Sequence, residues 1–190
     1  MMIFILYNFA AITYKNQDNI GGIASRIYFA ETSDLATVPT RAAFSTITTP
    51  ASAAMLTGSF SCKTGKQFFP IDITLDKGSL EVAGVGEVGG KSTKPALKFQ
   101  TDGLDETMAG LLRLFQNGRF VFIIPNLNAA DNFQVIGIDE PAQLKDGKLT
   151  TGEGIAGKRG MECSFECGAL TLYFATITSV QLATLIAPAV

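Results

Sequence analysis

Leu97-Lys98-Phe99-Gln100 opens a stretch, residues 97 to 138, in which three patterns follow one another. The first is a short alternation of apolar and polar residues, the period of a strand with one buried face. From Leu104 to Asn117 the period changes. Leu104, Met108, Leu111, Leu112 and Phe115 then fall at the i, i+4, i+7, i+8, i+11 spacing of one helical face. Asp102 is placed to cap this helix, Asp105 and Glu106 suit its first turn, and Gly118 stands where a helix commonly ends. Two apolar runs follow, Phe120-Val121-Phe122-Ile123-Ile124 and Phe133-Gln134-Val135-Ile136-Gly137-Ile138, separated by Asn, Ala and Asp. The unit is strand, helix, hairpin, and a helix with one apolar face packs on a sheet.

Outward from this unit, turn residues punctuate short apolar runs. Ile20-Gly21-Gly22-Ile23 leads into Arg26-Ile27-Tyr28-Phe29-Ala30, a strand. Residues 31–57 are rich in Thr, Ser, Ala and Pro and poor in charge, which predicts a long loop or extended arm. Gln67 to Leu75 alternates as a strand, and Pro70 assigns it to a sheet edge or a bulge. Asp76-Lys77-Gly78-Ser79 is a turn, and Leu80-Glu81-Val82-Ala83 begins the return strand. Beyond residue 138, Pro141, Asp146-Gly147-Lys148 and Thr151-Gly152-Glu153-Gly154 mark turns. Strands near 158–167 and 170–175 are expected to form a hairpin around Gly168, and the tail from Ser179 to Ala187 suits a short helix or a strand. The expected fold is mainly β with an α+β character. It is an antiparallel β-sandwich or barrel with one flanking amphipathic helix at 104–117 and extended loops or arms. Residues 20–178 form its single domain, 1–19 an apolar N-terminal arm and 179–190 a C-terminal tail.

Composition narrows the functions open to such a chain. Charged residues are 17% of the total and apolar ones 47%, against about 25% charged in an ordinary soluble domain. A shortage of charge suggests more buried surface than one subunit needs, and burial against copies of itself is the simplest explanation. With 15 basic and 17 acidic residues the net charge is -2, which carries no electrostatic footprint for nucleic acid. Met1-Met2-Ile3-Phe4-Ile5-Leu6-Tyr7-Asn8-Phe9-Ala10-Ala11-Ile12 has no basic residue before Lys15 and is too short for a membrane span. It reads as an arm or strand that docks on the protein or on a neighbour.

No catalytic constellation is visible. The chain has no histidine and no tryptophan, so base catalysis would fall to carboxylates, Lys or Tyr. Asp139-Glu140 ends a strand before Pro141, and Asp102-Asp105-Glu106 suits a helix start. Ser25, Ser33 and Ser79 stand in no nucleophile setting, and Lys158-Arg159 is an ordinary charged strand entry. Gly84-Val85-Gly86-Glu87-Val88-Gly89 matches the glycine spacing of a dinucleotide loop, but such a loop must open a helix, and Pro95 with renewed alternation predicts a strand. Gly90-Lys91-Ser92 imitates the end of a P-loop, whose first glycine would stand at Val85. A glycine-rich hairpin tip is the simpler reading. Cys62, Cys163 and Cys167 form no disulfide framework. On a strand, Cys163 and Cys167 share a side but lie about 13 Å apart, too far for one metal or one bridge. Buried free thiols and a reducing compartment fit the set. No catalytic, cofactor-binding or metal-binding residue is assigned.

Asn19-Ile20-Gly21-Gly22-Ile23 with Arg26-Ile27-Tyr28-Phe29-Ala30 resembles the opening of structural tail proteins from phages of gut and related bacteria. The central helix followed by Arg119-Phe120-Val121-Phe122-Ile123-Ile124 and Val135-Ile136-Gly137 is similar to theirs, as is Pro141-Ala142 before the Thr151-Gly152 turn. The resemblance covers about two thirds of the chain through short motifs. It implies a small β-sandwich or barrel that stacks as rings, most often hexameric, into a conduit for DNA. By the same resemblance the protein sits in the virion tail, is assembled in the host cytoplasm, and meets other tail or neck proteins and passing DNA. The family has no catalytic residues, and its bores are often acidic, which keeps phosphates from sticking. A phage neck or connector protein belongs to the same class. Two other classes stay open: a β-sandwich module binding carbohydrate or protein, as a monomer with an aromatic patch, and an enzyme with a pocket lined by Asp or Glu.

Overall fold

The structure, a computed structural model, describes residues 21–127, 131–152 and 159–187. In chain order β1 is Arg26–Glu31, β2 Leu35–Thr37, β3 Thr40–Arg41, α1 Pro50–Ala54, β4 Leu56–Thr57 and β5 Ser61–Cys62. Then come β6 (Phe69–Asp72), β7 (Gly78–Val85), β8 (Ser92–Asp102), α2 (Glu106–Phe115) and β9 (Phe120–Pro125). The chain continues with β10 (Asn132–Ile136), β11 (Gln143–Thr150), β12 (Gly160–Glu166), β13 (Tyr173–Thr176) and α3 (Ser179–Ile186). The strands form a five-stranded sheet in the order β13-β10-β9-β1-β6 and a four-stranded sheet in the order β11-β12-β8-β7. Two small ribbons, β2-β5 and β3-β4, complete the set. All ladders are antiparallel. The fold is mainly antiparallel β with α+β character, and no sheet closes into a barrel among the described residues.

The two large sheets and α2 share one core. Ile27 and Phe29 of β1, Phe122 and Ile124 of β9, Leu97 and Phe99 of β8, and Cys163 and Phe165 of β12 meet there with Phe115 of α2. Aromatic rings bind the layers at their junction. Phe165 stands 4.7 Å from Phe122, 5.1 Å from Phe115 and 6.0 Å from Phe99, ring centre to ring centre. A second core covers the opposite face of the five-stranded sheet, where Val121, Ile123, Val135 and Tyr173 pack against Leu35, Leu56, Phe68 and Leu185. β9 is therefore buried on both faces, which is why its sequence is a continuous apolar run rather than an alternation. The four-stranded sheet keeps one polar face, and β12 alternates accordingly, with Met161, Cys163 and Phe165 inward and Glu162 outward.

The strand–helix–hairpin unit of residues 97–138 stands as the sequence predicts, with one refinement: β8 and β9 belong to different sheets, so α2 carries the chain between layers. The helix spans Glu106–Phe115, shorter than 104–117, because Asp105 and not Asp102 is its cap. The Met108 amide donates to the Asp105 carboxylate at 2.8 Å, while Asp102 ends β8 opposite Gly160. Gly160 is required there, since a side-chain Cβ would lie 1.9 Å from the Thr101 carbonyl oxygen. Pro70 does mark an edge strand, β6, and residues 84–92 do form a hairpin tip, with Gly86 and Gly89 at positive φ.

Four expectations need correction. The strand after Asp76 does not return along β6; β7 pairs with β8 in the other sheet. Likewise β12 and β13 are not a hairpin around Gly168. The chain crosses between sheets there, bridged by Thr93 and Ala169. Segment 31–57 is not one long loop but carries β2, β3, α1, β4 and two 3-10 turns, with Leu35 and Leu56 anchored in the second core. Finally there are three helices among the described residues rather than one. The tail resolves to a helix, α3, whose cap Thr178 and Gln181 satisfy each other's backbone amides. The arm at 1–19, and residues 153–158 with Glu153, Gly154 and Lys158, lie outside the described residues.

Candidate functional site

Chemistry-bearing side chains are mostly engaged in structure. Asp139 accepts from the Tyr173 hydroxyl at 2.7 Å and from the Leu170 amide at 3.1 Å, with Arg41 at 3.6 Å. Glu140 accepts from the Gly168 amide at 2.9 Å. The acidic pair thus braces the crossover from β12 to β13. Burial pushes the Tyr173 hydroxyl up to about 12, helped by its bond to Asp139 and opposed by Arg41. A hollow of about 460 Å³ opens beside this cluster between Arg41, Ile47 and Tyr173, with exposed Phe44 and Leu170 on its lining.

Other candidates from the sequence are scattered. Asp105 is spent as a cap, and Arg159 donates to the Leu104 carbonyl at 3.1 Å. Gly84 and Gly86 close a strand-to-strand turn, and β8 rather than a helix follows Lys91, so no ring of helix amides awaits a phosphate. Cys163 and Cys167 are buried, and burial raises their thiols to about 12 and about 11. Burial also pushes Cys62 up. Among the described residues no group of His, Cys, Asp and Glu is placed to hold a metal, and no helix is long and apolar enough to cross a membrane.

What the structure does present is open edge and apolar surface. β7 pairs with β8 along Gly78–Val85 and has no second strand neighbour among the described residues. From Val82 to Gly86 it carries neither charge nor proline, and Val82, Val85 and Val88 are exposed. β11 is the opposite edge of the same sheet. The outward face between these edges is polar and mixed in sign. Lys94 and Lys145 both bind Glu166, Lys98 lies 3.8 Å from Glu81, and Asp146, Lys148 and Glu162 surround a shallow hollow of about 670 Å³. The two lysines, Lys145 foremost, hold the Glu166 carboxyl below the usual range.

A second apolar feature is a groove of about 670 Å³ between the edge strand β6 and helix α2. Phe29 and Ile71 line it, with the exposed side chains of Phe69 and Leu114. Sequence reasoning missed this groove. Its signal was Leu114, an apolar residue outside the stripe of Met108, Leu111 and Phe115, together with Phe69 beside an edge-strand proline. Comparison with protein-family models, curated proteins and solved structures finds no match to this chain.

Proposed function

We propose that the protein is a structural subunit of a tailed-phage virion, of the tail-tube or tail-ring type, which works by self-assembly into a conduit for DNA. The observation that carries this reading is the four-stranded sheet, open at both β7 and β11. The segment Val82 to Val85 of β7 has neither charge nor proline, and such an unpaired edge is an aggregation hazard unless another chain covers it, while β11 brings Lys145, Asp146 and Lys148. Joining β7 of one subunit to β11 of the next is a heterologous contact, which gives a ring where the rotation between subunits closes and a filament where it does not. The low charge of the chain supports extensive burial between copies. In this arrangement the polar face of the sheet lines a bore. Its lysines and carboxylates are interleaved, so the passage would be neutral and hydrated rather than acidic. A neck or connector ring is the nearest variant of the same reading.

Light scattering over a concentration series, with negative-stain electron microscopy of each fraction, tests the proposal. Rings or stacked tubes with an open bore are expected. A monodisperse monomer at every concentration that also captures no virion component would favour a monomeric protein-binding module, for which the Phe44 and Leu170 hollow is the natural surface.

A further inference from the structure

We propose that the groove between β6 and α2 is the seat of the chain's own N-terminal segment, the apolar run Ile3 to Ile12, docked within the same subunit.

The groove has the features of a receptor for an extended apolar segment. Its floor includes the core side chains Phe29 and Phe120, and its rim exposes Phe69 and Leu114, the latter 71% accessible and outside the stripe of Met108, Leu111, Leu112 and Phe115 by which α2 packs on the core. One wall is β6, which on the side away from β1 has no strand partner among the described residues. An extended segment laid there adds main-chain bonds to an edge and side chains to an apolar trough, the general mode of strand addition.

The occupant follows from reach and charge. The described chain begins at Gly21 and passes directly beside β6, since the Ile73 amide donates to the Ser25 carbonyl at 2.6 Å and Arg26 pairs with Asp72 at 2.6 Å. Residues 13–20 separate the apolar run from that point, and eight extended residues reach at most about 28 Å. β6 itself is four residues long, about 13 Å at the rise of a strand. A tether of this length presents the segment to its own groove at an effective concentration on the order of millimolar, which favours the same subunit over a neighbour in dilute solution. The run is free of acidic residues and is followed by Lys15. The groove's lining is net acidic, with Glu31, Asp34, Asp72 and Asp102 against Lys66; Asp34 pairs with Lys66 and Asp72 with Arg26, which leaves Glu31 and Asp102 for a basic partner. The inference does not depend on ring formation. It assigns the segment to finishing one subunit, leaving β7 and β11 for contacts between subunits.

Hydrogen–deuterium exchange of the full chain, read by mass spectrometry at concentrations where it is monomeric, tests this. Peptides covering residues 3–12 should exchange at least tenfold more slowly than an unstructured chain, equally at two dilutions. Leu114→Lys and Phe69→Lys, both at exposed positions, should each remove that protection while circular dichroism stays unchanged. Free exchange of 3–12 in the unaltered protein would overturn the proposal, as would protection indifferent to both substitutions. Protection that grows with concentration would place the segment on a neighbour and equally overturn it. Because the readout is taken on monomer, failure to assemble would leave it intact, and success would not depend on the virion reading.

Discussion

Replacing Phe165 with alanine probes whether the two sheets and α2 are one cooperative unit. The side chain is fully buried and touches rings from all three layers: Phe99 of β8, Phe115 of α2, and Phe120 and Phe122 of β9. Truncating a buried Phe to Ala costs about 3–5 kcal/mol through lost transfer energy and the cavity left behind. Each well-oriented aromatic pair adds about 0.5–1.5 kcal/mol, and the 88° edge-on contact with Phe115 and the near-parallel stack on Phe99 are both of favourable geometry. The upper end of the range, about 5 kcal/mol, is therefore expected, a large share of the 5–15 kcal/mol typical of a whole domain. With a urea slope of about 3 kcal/mol per molar, the midpoint should fall by about 1.7 M. Circular dichroism suits the assay, because the chain has no tryptophan to report by fluorescence. Val88→Ala, at a 94% exposed tip, serves as the control and should stay within about 0.5 kcal/mol. A cost for Phe165→Ala no larger than the control's would refute the shared core. So would unfolding in two separated steps, one for each sheet.

Three further outcomes follow from the geometry. In an alkaline absorbance titration Tyr173 should ionise near 12, well above the ordinary tyrosine value. A phenol held protonated by the fold stabilises it below the unfolded value near 10, and that contribution is lost as pH rises toward 12; Asp139→Asn should bring the ionisation down. Thiol titration at neutral pH should label Cys62 first and leave Cys163 and Cys167 unreacted until denaturant is added, since the thiolate is the reactive form and burial suppresses it. Gly160→Val should yield insoluble or unfolded protein, because its Cβ meets the Thr101 carbonyl at 1.9 Å where β12 and β8 are locked in register; a soluble variant with a native spectrum would contradict that register.

Local patterns in the sequence read through to structure where one interaction dominates. The 3.6-residue stripe around Met108, Leu111 and Phe115 locates α2, and Pro70 marks the edge strand, because each follows from near neighbours in the chain. Pairing between distant strands was less legible. β7 and β13 each look like the second arm of a hairpin, since short turns precede them, yet both cross to the other sheet. Nothing in Asp76-Lys77 or Gly168 encodes which sheet has room. That choice is made by the cores, through Leu80 packing into one and Tyr173 into the other. The helix cap was misplaced by three residues because Asp102 and Asp105 are both chemically able to cap, and only the register of β8 against β12 keeps Asp102 in the strand. In segment 31–57 the anchors Leu35 and Leu56 are too far apart for any periodicity to show. The groove was hidden for a related reason, since an apolar residue off the stripe is visible in sequence but its opposite wall, β6, is supplied from forty residues away.

The central claim, assembly through the edges of the four-stranded sheet, is tested most directly by particle mass and electron microscopy of the protein beside a Val82→Lys/Val85→Lys variant. Lysines on an exposed edge oppose pairing with another chain and, at these exposed positions of β7, leave the subunit fold in place. The account predicts closed rings or tubes from the unaltered protein and single folded subunits from the variant. Assemblies of equal size from both would contradict it, and so would an unaltered protein that stays monomeric at every concentration.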